Sequence, residues 1–241
     1  MKSTQVYSPL LVSAFPAALR SRTGEIISMP YADHHDTKWK GSRDAWLDAA
    51  FALLLESGVD SVKVLPLAKR LNVSRTSFYW FFKDREALLH ALIERWREKN
   101  TPGLVHQTGA YAESIAEAIL NVFDCWLNAG LFDSQLEFAI RSWALQSDEV
   151  SREIEAADET RIEALTRMFV EHGYDPLAAN VRGRTIYLTQ IGYISMNTQE
   201  ALETRMRRIP AYVEIFTGQA PQPHELRRFY ARHGYEPEGD G

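Results

Sequence analysis

Between Ser74 and Arg85 the chain places Arg75, Thr76, Ser77, Tyr79, Trp80, Lys83 and Arg85 within twelve residues. These are cations, hydroxyls and aromatic rings, and Asp84 is the one carboxylate among them. That chemistry suits a polyanion. A guanidinium can fork onto guanine O6 and N7, and a hydroxyl can reach a phosphate or a thymine methyl. A lysine or arginine can also clamp the phosphate backbone. Catalysis is not expected from the rest of the chain. There is no G-x-S-x-G, no H-E-x-x-H, no phosphate-binding glycine loop and no nucleophile–base pair at an informative spacing. No catalytic residue is therefore assigned, and no cofactor. A single cysteine, Cys125, excludes an internal disulfide and a multi-cysteine zinc site. His34 and His35 lack a third ligand nearby, so no metal is expected.

The donors need rigid elements to aim them. Ser42 is a plausible N-cap, and Ala45, Trp46, Ala49, Ala50, Leu53 and Leu54 recur with helical spacing up to Gly58. A short helix around Val64 to Leu71 follows, with Pro66 in its first turn and Leu67, Ala68 and Leu71 inward. Asn72 tolerates the left-handed conformation of a tight turn, and Ser74 can cap the next helix. The spacing predicts that next helix over Arg75 to Phe82, with Val73 and Phe78 inward. Asp84 caps a longer one carrying Leu88, Leu89, Leu92, Ile93 and Trp96 on one side. Two short helices joined by a tight turn form a helix-turn-helix, whose second helix enters a groove about 12 Å wide. Phe78 and Phe82 read as core. Trp80 is open between core and DNA contact.

Composition agrees. The chain has 241 residues, 45% hydrophobic and 24% charged, with a formal net charge of −5. That allows one large domain or two of roughly 100 residues or more. Residues 38–100 hold twelve Lys or Arg against eight Asp or Glu, while residues 101–241 hold twelve Arg against twenty-one acids and no lysine. A basic segment beside an acidic remainder suggests that the first meets a polyanion and the second does not. No run of about 18 apolar residues is present, so no membrane contact is expected. The apolar stretch near the start is broken by Ser8, Pro9, Ser13 and Pro16, which argues against an export signal. With one cysteine, a reducing, cytoplasmic location is expected. Lys38, Trp39 and Lys40 form either a basic arm that touches phosphate or a solvated linker.

The stretch from Val64 to Leu89, VLPLAKRLNVSRTSFYWFFKDREALL, resembles the DNA-binding domain of the tetracycline-repressor (TetR) family. It is similar in particular to the branch that reads LGV-S/T-x-x-SFYWHFKDR, and the likeness runs from Trp46 to Trp96. Tyr79 and Phe82 fall on the family's most characteristic pair. The resemblance implies that Tyr79 meets a phosphate through its hydroxyl. Three departures stand out: Asn72 replaces the turn glycine, Phe81 replaces a histidine, and Val62-Lys63 replace Thr-Ser at the start of the second helix. Ser61 or Lys63 is left to compensate for that missing hydroxyl. The DNA-binding residues are accordingly Lys40, Lys63, Arg75, Thr76, Ser77, Tyr79, Trp80, Lys83 and Arg85.

The fold class expected is all-α: residues 1–40 an extension, 41–100 a three-helix DNA-binding domain, and 101–241 a helical domain for effector binding and dimerisation. Helices are expected over about 110–128, 134–147, 149–172, 176–196, a segment holding Leu202 to Ile215, and 223–232. The resemblance implies a homodimer built from the helices 176–196 and 200–216, where Gly183 and Gly192 would let axes approach. It also implies a small-molecule pocket, with Phe123, Trp126, Phe138, Arg141, Trp143, Met168, Tyr187 and Tyr193 as lining candidates. A buried Arg141 needs an acid, either a protein carboxylate or an anionic ligand. Cys125 has either a redox role or none. Together these imply a regulator, more commonly a repressor, that binds double-stranded operator DNA and is released by an effector. The alternatives are an effector-less DNA-binding protein and a helical enzyme.

Overall fold

The computed structural model describes residues 41–237. The expectations for Lys38, Trp39, Lys40, His34 and His35 lie outside these residues. Nine α-helices and two short 3₁₀ segments make up the described chain, with no strand among the described residues.

Each N-terminal element starts and stops where its local chemistry dictates. Helix α1, Arg43–Ser57, is capped by Ser42, whose Oγ accepts the Ala45 N–H at 3.2 Å. It ends at Gly58, whose φ of 77° is costly for any residue with a Cβ. A 3₁₀ turn, Val59–Ser61, leads to α2, Val64–Leu71. Asn72 follows in the left-handed region at φ 54°, where Asn is among the few non-glycine residues that settle readily.

The next segment departs from expectation. It is a 3₁₀ helix over Arg75–Trp80 rather than an α-helix to Phe82. Ser74 Oγ accepts the Ser77 N–H at 3.3 Å, and Ser77 Oγ donates back to the Ser74 carbonyl at 2.7 Å. Six residues are too few to offset helix nucleation, and hydroxyl and aromatic side chains favour the α-helix weakly. The segment keeps its place by burying Phe78 against Trp46 and Phe82, at ring separations of 5.2 Å and 5.5 Å.

Helix α3, Arg85–Thr108, begins at Asp84, whose Oδ1 accepts the Ala87 N–H at 2.8 Å. It runs through Pro102, on an exposed turn, without a break. It thus crosses the expected boundary at residues 100–101 and takes part in two cores. One core joins Trp46, Leu67, Phe78, Leu92 and Trp96 to Leu136, Ile140, Val150 and Ile154 from later helices. The other starts at Leu104.

Helices α4 (Ile115–Leu127), α5 (Ser134–Ala144), α6 (Asp148–Glu171), α7 (Pro176–Ser195), α8 (Leu202–Thr217) and α9 (Pro223–Arg232) follow; α5 buries Leu136, Ala139 and Ile140 in the first core, and α4, the later part of α6, α7, α8 and α9 build the second. Helix α4 starts five residues later than expected, because Ser114 rather than Ala110 provides the cap. Two glycines have packing roles. A Cβ on Gly103 would lie 2.0 Å from the Leu131 carbonyl oxygen, and one on Gly183 would lie 3.1 Å from the Thr166 nitrogen. Gly183 therefore lets α7 cross α6 closely within one chain, rather than serving a contact between copies. Gly192 has open space around it.

Candidate nucleic-acid interface and helical-domain crevice

The helix-turn-helix exposes a set of polar and aromatic side chains. Trp80 is 78% exposed, Leu65 63% and Tyr79 53%. Arg75, Thr76, Lys63, Lys69 and Lys83 are exposed beside them and make no ion pair among the described residues. The open question about Trp80 is answered for the free chain: its ring is in solvent, while Phe78 and Phe82 are buried. Tyr79 rests edge-on against Phe78 at 5.3 Å and points its remaining surface outward.

Three of the sequence-derived residues belong elsewhere or serve double duty. Arg85 is turned inward. Its Nε donates to the Val62 carbonyl at 2.6 Å, its Nη2 to the Val59 carbonyl at 2.8 Å, and its Nη1 to Glu86 at 2.9 Å. It closes the carbonyls at the α1–α2 junction and has little left for a phosphate. Ser77 is committed to the Ser74 turn. Ser61, considered as a substitute for a missing cap, instead donates to the Ser57 carbonyl at 3.0 Å. Lys63 precedes α2 without a side-chain cap bond, and Val62 is fully buried. The first N–H groups of α2 are therefore open to an anion.

The helical domain has a crevice between α4, α7 and α8. From α4 come Phe123, Trp126 and Leu127. Helix α7 contributes Ile186, Thr189, Gln190 and Tyr193, and α8 contributes Arg205, Arg208, Ile209, Tyr212 and Phe216, with Glu200 from the connecting segment. Its volume is about 470 Å³ counting the open mouth, and side chains fill most of its depth. Tyr193 and Tyr212 join their hydroxyls at 2.7 Å, so α7 and α8 are bridged at the crevice. Burial and that bond raise the Tyr212 hydroxyl, the bond being the larger cause.

Of the eight lining candidates, the crevice includes Phe123, Trp126 and Tyr193. Met168 is buried in the core, Phe138 packs on it, and Trp143 packs on the N-terminal core instead. Arg141 and Tyr187 belong to a buried polar network. Glu137, fully buried, accepts from Trp96 Nε1 at 2.6 Å, Asn100 Nδ2 at 2.8 Å, and Arg141 Nε and Arg161 Nη1 at 2.9 Å each. Tyr187 donates to Asp158 at 2.6 Å and accepts from Arg161 at 2.9 Å. Arg141 also pairs with Asp158 through both terminal nitrogens. The acid that Arg141 needs is thus supplied by the protein. Burial alone would push Glu137 up, but Arg161 and Arg141 more than offset it and hold its carboxyl below the usual range. Arg161 lies over the Trp96 and Phe132 rings, at 5.1 Å and 5.4 Å, and its Nη2 is buried with no acceptor.

Cys125 is buried, with Sγ 3.5 Å from the Gly103 carbonyl. Burial, with a smaller push from Asp124, raises its thiol to about 12.

Sequence reasoning missed Gln190, Glu200, Arg205, Arg208 and Tyr212. A signal existed: Arg205, Arg208, Ile209, Tyr212 and Phe216 follow one another on a single helical face. Nothing local distinguishes such a face from a solvated one.

The chain's likenesses to known proteins fall on these same parts. The sequence profile of bacterial regulatory proteins of the tetR family matches residues 47–92, from α1 into α3. The tetracycline repressor protein class A of Escherichia coli is 44% identical over 52 residues, 22% of this chain and 24% of that repressor. The class G repressor of Vibrio anguillarum is 36% identical over 74 residues, 30% of this chain and 35% of its own. The chain thus matches about a quarter to a third of these relatives' length. The crystal structure of Mycobacterium smegmatis AmtR superposes with a TM-score of 0.56 at 19% identity, over 82% of this chain and 96% of that one. That likeness extends the shared fold from the helix-turn-helix into the helical domain. Residues 47–92 of the chain are thus similar to the tetR family of bacterial regulatory proteins, and beyond them the likeness is one of fold.

Proposed function

We propose that this chain is a one-component transcriptional regulator, a cytoplasmic repressor that binds operator DNA as a homodimer and is released by a small molecule in its helical domain. The observation that carries the reading is the solvent-facing set Lys63, Arg75, Thr76, Tyr79, Trp80 and Lys83 on a helix-turn-helix. In this reading Arg75 and Trp80 read base edges, while Lys63, Tyr79 and Lys83 hold phosphates. Lys40 extends the phosphate contacts.

Dimerisation is supported by an exposed apolar row on α7, Leu177, Val181 and Leu188, which follows helical spacing. Leu202 and Ile215 on α8 are exposed too. A two-fold pair would present its reading segments to half-sites about one helical turn apart. Effector control requires the ligand to bind one conformer better than the other, since only differential affinity shifts an equilibrium. The crevice between α4, α7 and α8 is the site for it.

The test is fluorescence anisotropy of the full chain on duplex DNA from upstream of its own gene, against a scrambled duplex, at two salt concentrations. Tight binding to the first alone supports the reading. Absence of binding to either duplex at low salt overturns it.

A further inference from the structure

The crevice has two groups whose partners are missing. Gln190 is 7% exposed, lines the crevice, and its side-chain amide makes no hydrogen bond among the described residues. Its amide atoms, which are not among the fully buried unpartnered ones, open onto the crevice and are free to bond a ligand there. Arg205 lines the mouth and makes no ion pair among the described residues. The other two charges there neutralise each other, since Arg208 pairs with Glu200. The mouth therefore carries one positive charge in excess. Between mouth and floor the walls are aromatic. Phe123 stands edge-on to Trp126 at 5.2 Å, and Tyr212 stacks on Phe216 at 5.6 Å.

These features select a chemistry. Flat apolar walls favour a ring-bearing body. A free guanidinium at the rim favours an oxyanion and repels a cation. We infer that the crevice takes a small aromatic or polycyclic compound bearing one acidic group, with the acid at Arg205 and the inner end at the Gln190 amide. This rests on the reading of the crevice as the effector site. Because little deep space is open, the body lies in the outer part of the crevice between α7 and α8. Only its inner edge reaches Gln190. Entry parts the Tyr193–Tyr212 hydroxyl pair and so moves α7 against α8.

The test uses two dyes of the same ring body on the full chain: anionic 8-anilinonaphthalene-1-sulfonate and neutral N-phenyl-1-naphthylamine. Dye emission and quenching of Trp126 are read, with Trp126→Phe locating the signal. The expected result is one equivalent per chain, with the sulfonate about tenfold tighter than the neutral dye. That is the size of a charge-assisted hydrogen bond in a partly exposed site. Arg205→Gln, checked for an unchanged melting temperature, removes that preference and leaves the neutral dye's affinity within about twofold. Equal affinities, or a preference that survives Arg205→Gln, overturn the anion assignment while leaving the crevice a binding site. Saturation at several equivalents with no effect on Trp126, or no binding of either dye, overturns both the assignment and the crevice as the effector site.

Discussion

Trp96 donates its indole N–H to Glu137 Oε2 across 2.6 Å, with both side chains buried. Trp96 lies on α3, the helix that follows the Arg75–Trp80 segment. Glu137 lies on α5, in the helical domain. The same carboxylate takes Arg161 and Arg141, so one acid fixes α3, α5 and α6 to one another. Glu137→Gln leaves the buried Arg161 with only Asp158, 3.9 Å away, as counter-charge and is expected to cost about 3 kcal/mol. Urea unfolding followed by circular dichroism measures it. Combining it with Arg161→Met should recover part of the loss, because the cost comes from the stranded charge.

Glu137 also sets a pH dependence. Its folded carboxyl lies below the unfolded value of 4.5, so it favours the folded state fully above that pH. The contribution decays as the pH falls from 4.5 through the lower folded value. Unfolding midpoints of the wild type should therefore drop on acidification below pH 4.5 more steeply than those of Glu137→Gln. Parallel curves would show that the carboxyl titrates alike in both states.

Arg75, Lys83 and Arg85 separate in their effects. Arg75→Ala should cost roughly 1–3 kcal/mol on the operator and relax specificity at one position. Lys83→Ala should weaken binding to all duplexes and lower the salt slope by about one. Arg85→Ala should instead lower the melting temperature, since its guanidinium holds the Val59 and Val62 carbonyls. Anisotropy titrations at several salt concentrations, with thermal melts, distinguish the three.

Gly103→Ala drives a methyl into the Leu131 carbonyl and should destabilise by about 3 kcal/mol, the upper range for overpacking. Gly192→Ala, facing open space in α7, should stabilise the isolated chain by up to about 1 kcal/mol through helix propensity. Denaturant midpoints read both.

Cys125 should be inert in the folded state. With a buried thiol raised to about 12, a maleimide at pH 7 finds almost no thiolate. One equivalent should react once the chain is unfolded in urea. Rapid labelling of the folded chain would show that the α3–α4 contact opens readily.

The DNA-binding part was legible because its signals are local. Ser42, Gly58, Asn72, Ser74 and Asp84 each act within a few residues, and all five sit at the ends where they were expected. Arg85 was not legible, since its partners are backbone carbonyls 23 and 26 residues back, which no side-chain type betrays. The same holds for Arg141, whose partner Asp158 lies 17 residues on, beyond one helix. The lining of the crevice depends on which faces of α4, α7 and α8 meet. Apolar periodicity marks the inward face of each helix but not the partner it turns to.

Lys63, Lys69 and Lys83 are exposed on the helix-turn-helix, Lys99 pairs with Asp133, and no lysine follows. Among the described residues, succinimidyl esters, the common route to a dye label or a sensor-chip tether, will therefore react before residue 100 alone, three of the four lysines being those of the helix-turn-helix. A chip made this way holds the molecule by the surface it is meant to display, and a dye placed this way reports from it. Attachment through the carboxyl-rich helical domain leaves that surface free.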